Sequence, residues 1–289
     1  MEDGNMIPGK IYYRRIIAIS FGYILFGFTV LSAAVQVSSR AVFLSEQNRS
    51  GTITLQNPSE VPVAVSIFFE PGLPKTDHQG NFKRGSADSA EINHPNLIKD
   101  WVRIFPKDAV LAPGEARTIK FLAGPPKELP DGEYWATVVI TSWNDLPEIQ
   151  SEENPDSNNM QNIIPDETIS IVNYRKGKLA TRLEVIDTKF NRTDSLIVLT
   201  VEMVNKGNAA YIGLLKCNLL DARNISIAQG QVNIDVFDKA IRRVELPIAT
   251  GEFNHQYHVD ITIENDGRKD LPNDLIIPGN RIEYSISLE

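Results

Sequence analysis

The chain has 289 residues, 42% hydrophobic, 8% aromatic and 23% charged, a globular composition at a length that suits two domains of ordinary size. Its net charge of −8 lacks the broad basic surface that nucleic-acid binding calls for, which excludes nucleic acid as a general partner. Its single cysteine, Cys217, excludes an intrachain disulfide.

Residues 1–34 are predicted to lie outside the fold. "KIYYRR" places Lys10, Arg14 and Arg15 ahead of the apolar run "IIAISFGYILFGFTVL", which gives way to "SAA". These are the three parts of a secretory signal peptide, and Ser32 and Ala34 fit its two specificity positions. Cleavage after Ala34 leaves Val35 at the mature N-terminus. An uncleaved signal anchor is the alternative, since 16 apolar residues are long for the one and short for the other. No second apolar run approaches ~18 residues, so the mature chain is expected to be soluble and exported.

The next stretch, "VQVSSRAVFLSE" (35–46), reads as a β-strand. A period of two puts Arg40 on the face of Val42 and Leu44, where a guanidinium needs an anionic partner. "SGTITLQN" and "VPVAVSIFF" follow as strands, with "NPSEV" between them as a turn. "DWVRIF" and "ARTIKFLA" flank "PKDAVLAPGE", whose Pro113-Gly114 marks a turn, and "DGEYWATVVITSW" opens on an Asp-Gly turn into a β-branched strand. "NIIPDETISIVNYRKG" (162–177) is a long strand leading into the second half. There, seven more runs span about 110 residues: "LATRLEVIDTKF", "SLIVLTVEMVN", "AYIGLLKCNLLD", "NISIAQGQV", "AIRRVELPI", "QYHVDITIEN" and "RIEYSISLE". "NKGNA" and "DGRKDLPND" are turn material.

This pattern predicts an all-β chain of two immunoglobulin-like β-sandwich domains in tandem, residues 35–176 and 177–289. Two long connections stand out. Residues 70–100 exceed an ordinary hairpin and are expected to be functional or mobile. Residues 144–158 carry five acidic residues and no basic one, which predicts a solvated loop.

Chemistry-bearing motifs are sparse. His255 and His258 stand i and i+3 on a predicted strand and point to opposite faces, so no metal site is expected. Cys217 has no local histidine and reads as a small buried hydrophobe. Gly-x-Ser-x-Gly, a glycine-rich phosphate loop and Cys-x-x-Cys are all missing from the sequence. The chain is therefore expected not to be an enzyme and to need no cofactor. A carbohydrate-active module would require an exposed platform of Trp101, Trp135 or Trp143, and aromatics in strands more often fill cores.

Several stretches, in order, carry a resemblance. The first strand reads "RAVF"; "TITLQNPSEVPVAVSIFFE", "IFPKDAVLAPGEARTIKFLAGPPKELPDGEYWATV" and "ISIVNYRKG" follow, and "NKGNAAYIGLLKCNLLD" and "AIRRVELPI" continue into the second half. Together they resemble a divergent branch of the PapD-like periplasmic chaperones of pilus assembly, over most of the mature chain. The resemblance implies an L-shaped pair of sandwiches in the periplasm. Its partners would be pilus or fimbrial subunits with an incomplete immunoglobulin-like fold, and an outer-membrane usher. In that family the seventh strand fills the subunit's missing strand position, a form of β-strand addition. The first-strand arginine and a seventh-strand lysine clamp the subunit's C-terminal carboxylate.

The residues so implicated are Arg40, Ile169, Ile171 and Arg175. Arg40 is the carboxylate receptor, with an internal ion pair as the alternative. Ile169 and Ile171 project from one face of the donor strand, ordinary core being the other reading of them. Counting back four positions from Arg175 lands on Ile171 where the family has its lysine, so the second clamp is missing from its usual place. Arg175 stands in its stead or supports the domain junction. A structural or adhesive exported protein built from two sandwiches is the alternative function.

Overall fold

Runs of Val, Ile, Thr and aromatic residues punctuated by Gly, Pro and Asn leave little besides strand and turn available to this chain. The structure, a computed structural model, describes residues 35–143, 165–249 and 257–288. The signal-peptide segment, the acidic connection 144–158 and His255 lie outside the described residues. All described residues belong to one compact unit, Ala33–Glu289.

The first part contains β1 (Gln36–Val37), β2 (Ala41–Ser45), β3 (Ser50–Gln56), β4 (Val63–Glu70), β5 (Lys75–Thr76) and β6 (Phe82–Lys83). One short helix, α1 (Ser89–Ile92), precedes β7 (Val102–Phe105), β8 (Asp108–Leu111), β9 (Ala116–Ala123), β10 (Gly132–Trp143) and β11 (Asp166–Lys176). One sheet runs β1-β3-β9-β7 and the other β2-β11-β10-β4-β8, while β5 and β6 pair as a separate hairpin. Strand β8 lies within the stretch that the sequence reads as a connection.

Between the two main sheets of this part, Leu44, Ile53, Leu55, Ile119, Phe121, Val172 and Tyr174 form a buried core. Tyr134, early in β10, donates its hydroxyl to the carbonyl of Pro130 at 2.9 Å. That is the tyrosine corner common in immunoglobulin-like sandwiches. Asn57 shapes the turn after β3. Its Oδ1 accepts from Ser59 N at 2.9 Å, and its amide donates to the carbonyls of Val61 and Leu111.

The second part holds β12 (Leu183–Arg192), β13 (Leu196–Asn205), β14 (Tyr211–Leu220), β15 (Ser226–Val236), β16 (Lys239–Pro247), β17 (Tyr257–Glu264) and β18 (Ile282–Leu288). The seven runs expected from the sequence are these seven strands. They form sheets β12-β13-β16 and β15-β14-β17-β18, which close over a core that includes Leu199, Val201, Leu215, Cys217, Leu219 and Ile261. The strict alternation of buried and exposed residues along β16 shows how a period of two selects the core face.

A third apolar cluster joins the two sandwiches. Trp135 and Ile171 of the first pack with Ala210, Ile212 and Phe237 of the second, and Phe43, Phe82 and Ile169 lie at its margin. Trp135 meets Phe237 edge-on at 5.3 Å between ring centroids, a favoured aromatic geometry.

Candidate functional site

Arg40 does not share the face of Val42 and Leu44. The first strand breaks at residues 38–40 and passes from one sheet of the sandwich to the other, so β1 pairs with β3 whereas β2 pairs with β11. Arg40 sits in that bend, exposed, while Val42 and Leu44 enter the core. Strand alternation does not extend through a residue that lies outside the strand. Its guanidinium rests over the Phe82 ring, 5.3 Å from the centroid. It also lines a small cavity with Phe43, Ile171, Asp235, Arg268 and Asp270. Its backbone is fixed too, since Arg40 O accepts from Ile171 N at 3.0 Å.

That hydrogen bond marks where β11 gains its second neighbour. Strand β10 pairs with β11 over its whole length, from Gly132↔Lys176 to Ser142↔Asp166. Strand β2 runs parallel to it only from Ile171↔Ala41 to Arg175↔Ser45. Among the described residues, 166–170 therefore have one paired edge and one open edge, and Arg40 stands at the end of the open one. Backbone groups alternate along a strand, and Ile171 N points to the β2 side. Those of Ile169 and Glu167 point to the same side, where no described strand receives them.

Ile169 and Ile171 share a face, opposite to Val172 and Tyr174. This face looks not into the core of the first sandwich but onto the cluster between the sandwiches. Ile171 is 1% exposed there, and Ile169 is half-buried.

Arg175 lies at the junction. Its Nε donates to Oε1 of the fully buried Glu133 at 2.7 Å, and its guanidinium sits 4.4 Å from the Phe43 ring centroid. The other Glu133 oxygen accepts from Ala210 N in the second sandwich at 2.8 Å. Asn208 of "NKGNA" reinforces the joint. Its carbonyl accepts from Glu133 N at 2.8 Å, and its amide donates to the carbonyls of Asp131 and Lys178. Gly177, at φ +59, is required here because a Cβ would fall 2.0 Å from Asp131 Oδ1.

The long connection 70–100 packs onto both sandwiches and is not a free loop. Asp77 folds its tip by accepting from Gln79 N and Asn81 N at 2.9 and 2.8 Å. Those bonds help hold its carboxyl below the usual range, although partial burial opposes them. Arg243 N donates to His78 O at 2.9 Å, and Gly80 approaches β15 so closely that a Cβ would meet Asn233 O at 2.3 Å. On the other side, Arg84 pairs with Glu70 and Glu167 at 2.9 and 2.6 Å.

The sequence reading missed a buried charge network beneath this loop. Arg242 is fully buried and donates to carbonyls of Asn233, Asp235, Ile241 and Asp77. Arg268 donates to Asp235 Oδ1 at 3.2 Å and grips Asp270 in a two-point fork, each bond 2.7 Å. Burial pushes the Asp235 carboxyl up, while Arg268 and Arg242 pull the other way. One signal was available: Arg242 shares the face of Ala240, Val244 and Leu246 along β16, all apolar.

Cys217 is buried, and burial pushes its thiol up to about 12. Trp135 is 2% exposed within the inter-sandwich cluster, and Trp101 lies edge-on to Tyr134 and Tyr174. These two make no platform for a sugar. Among the described residues, no group of three or more His, Cys, Asp or Glu side chains is placed to hold a metal ion.

No family model matches the chain, and no curated protein matches it. Solved chaperone structures are similar to it. The YadV chaperone is 12% identical with a TM-score of 0.43, covering 89% of this chain and 100% of its own. The CupB2 chaperone of Pseudomonas aeruginosa is 14% identical at 0.39, covering 88% and 100%. A chain in the complex of Salmonella enterica SafA pilin with the SafB chaperone is 11% identical at 0.41, covering 88% and 96%.

Proposed function

We propose that this protein is a non-enzymatic periplasmic chaperone that holds an incomplete immunoglobulin-like pilus subunit by lending it the open edge of β11. The observation that carries this reading is the second edge of 166–170, open among the described residues, which ends beside Arg40. An exposed strand edge is a template for another chain, and folded proteins normally cover or blunt it. A subunit strand that adds there gains main-chain hydrogen bonds from Glu167 and Ile169. It runs towards Arg40, whose guanidinium can take both oxygens of a terminal carboxylate. Ile169, half-buried, is the apolar side chain available to the partner's groove. Ile171 is already committed to the contact between the sandwiches, and Arg175 to Glu133. Arg40 is thus the anchor, and the other two hold the platform.

The test is recovery of the protein from the periplasm under mild conditions. One stoichiometric, small, β-rich partner is expected. Ile169→Asp should abolish its capture, since a carboxylate placed in an apolar groove lacks a counter-ion. Arg40→Ala should weaken capture without unfolding the chain. Recovery of the folded protein without any partner, or capture indifferent to both substitutions, would refute the proposal.

A further inference from the structure

We propose that Asp270 is a resident carboxylate occupying the anion site between Arg268 and Arg40, and that the C-terminal carboxylate of a bound polypeptide displaces it. This rests on the strand-addition reading above. It also identifies the second cation of the anchor, at Arg268 in the second sandwich, where the first sandwich offers only Ile171.

The geometry is specific. Arg268 is held from behind. Its Nη1 donates to Ile234 O at 3.0 Å, Gly213 O at 3.4 Å and Asp235 Oδ1 at 3.2 Å, and its side chain is 3% exposed. Its Nε and Nη2 face the cavity as a planar fork, and the group in that fork is Asp270, at 2.7 Å to each oxygen. Arg40 lines the same cavity, stacked on Phe82. Among the described residues no carboxylate comes within ion-pair distance of it. The positive field of Arg40 nevertheless reaches Asp270 and helps hold its carboxyl below the usual range, behind the larger effect of Arg268.

Asp270 is the replaceable member of this set. It belongs to the turn after β17, and its side chain is 31% exposed, whereas Asp235 is buried. Phe43, Phe82, Ile171 and Phe237 supply apolar walls, with Asn173 and Asp235 as the other polar residues of the lining. The free space is about 20 Å³, room for a water but not for a second carboxylate beside Asp270. An incoming carboxylate therefore has to take the place of Asp270, and the exchange leaves the charge of the site unchanged. Asp270 then swings out on its turn into solvent.

The test uses an acetylated heptapeptide of alternating valine and threonine, once with a free C-terminus and once amidated, against the full mature protein. Asp270→Asn vacates the charge and keeps the shape. If Asp270 holds the site nine-tenths of the time, freeing it raises apparent affinity for the free acid about tenfold, while affinity for the amide stays constant. Adding Arg40→Gln should erase the preference for the free acid. In the natural protein the Arg268 Nε–Hε resonance should shift with the free acid and not with the amide, a readout that does not depend on the variant folding. An unchanged acid-to-amide ratio in Asp270→Asn, or an Arg268 resonance that ignores the free acid, overturns the Asp270 proposal while strand addition stands. Failure of both peptides to bind any form overturns both.

Discussion

Replacing Arg175 by methionine tests whether that residue holds the platform instead of serving as the anchor. The substitution keeps most of the side-chain volume and strands Glu133, which is 0% exposed and would retain only the Ala210 N–H at 2.8 Å among its present carboxylate partners. Breaking a buried pair from one side typically costs ~3–5 kcal/mol. At roughly 2–4 °C per kcal/mol for a chain of this size, the melting temperature should fall by about 6–20 °C. The exposed pair Arg182–Glu184 at 3.6 Å, with side chains 72% and 42% exposed, is the control. Arg182→Met should cost no more than ~1 kcal/mol. Adding Glu133→Gln to Arg175→Met should recover part of the loss, because no charge is then left buried. Calorimetry of the four forms decides the matter. Equal melting temperatures for Arg175→Met and Arg182→Met would show that the Arg175–Glu133 bond is not a structural joint.

Three further outcomes are expected. Limited proteolysis of the natural protein should spare residues 70–100, whereas Arg242→Met, which removes the hydrogen bond to Asp77 O, should expose the loop tip to cleavage; equal resistance in both would mean that Arg242 does not fasten it. Ile171→Lys should destabilise the chain, because the residue is 1% exposed among Trp135, Ile212 and Phe237 and a lysine there has to give up the hydration of its ammonium in a packed apolar cluster; an unchanged urea midpoint would contradict this packing. Cys217, with its thiol pushed up to about 12, should stay protonated and unreactive towards iodoacetamide at pH 8 in the folded state and react in urea, as an unfolded thiol near its ordinary pKa does. Rapid native labelling would place the thiol outside the core.

The strands were legible because their period of two and β-branched composition are local signals, and all seven runs of the second half became strands. The face of Arg40 was misread because its strand changes sheets at residues 38–40, and a change of partner is not written in a short run of apolar alternation. The same reasoning holds in the second sandwich, where Arg242 does sit on the buried face of a strand and finds carbonyls as partners. The connection 70–100 reads as functional or mobile because it is too long for an ordinary hairpin. What holds it is tertiary: Gly80 against Asn233, His78 O against Arg243 N, and Phe82 against Phe237 at 6.3 Å. Glu133 and Asn208 could not be singled out among so many polar residues, since their partners lie far away in the chain.

The central claim is that the open edge of 166–170 is where another chain docks. A photo-crosslinking residue placed at Thr168, on the unpaired stretch and away from Ile169, tests it in living cells. Irradiation should yield one covalent adduct with a small β-rich protein, and the same residue placed at Ser226, on the second sandwich, should yield none. Capture of that partner with no adduct at 168, or equal adducts at both positions, would contradict strand addition at this edge.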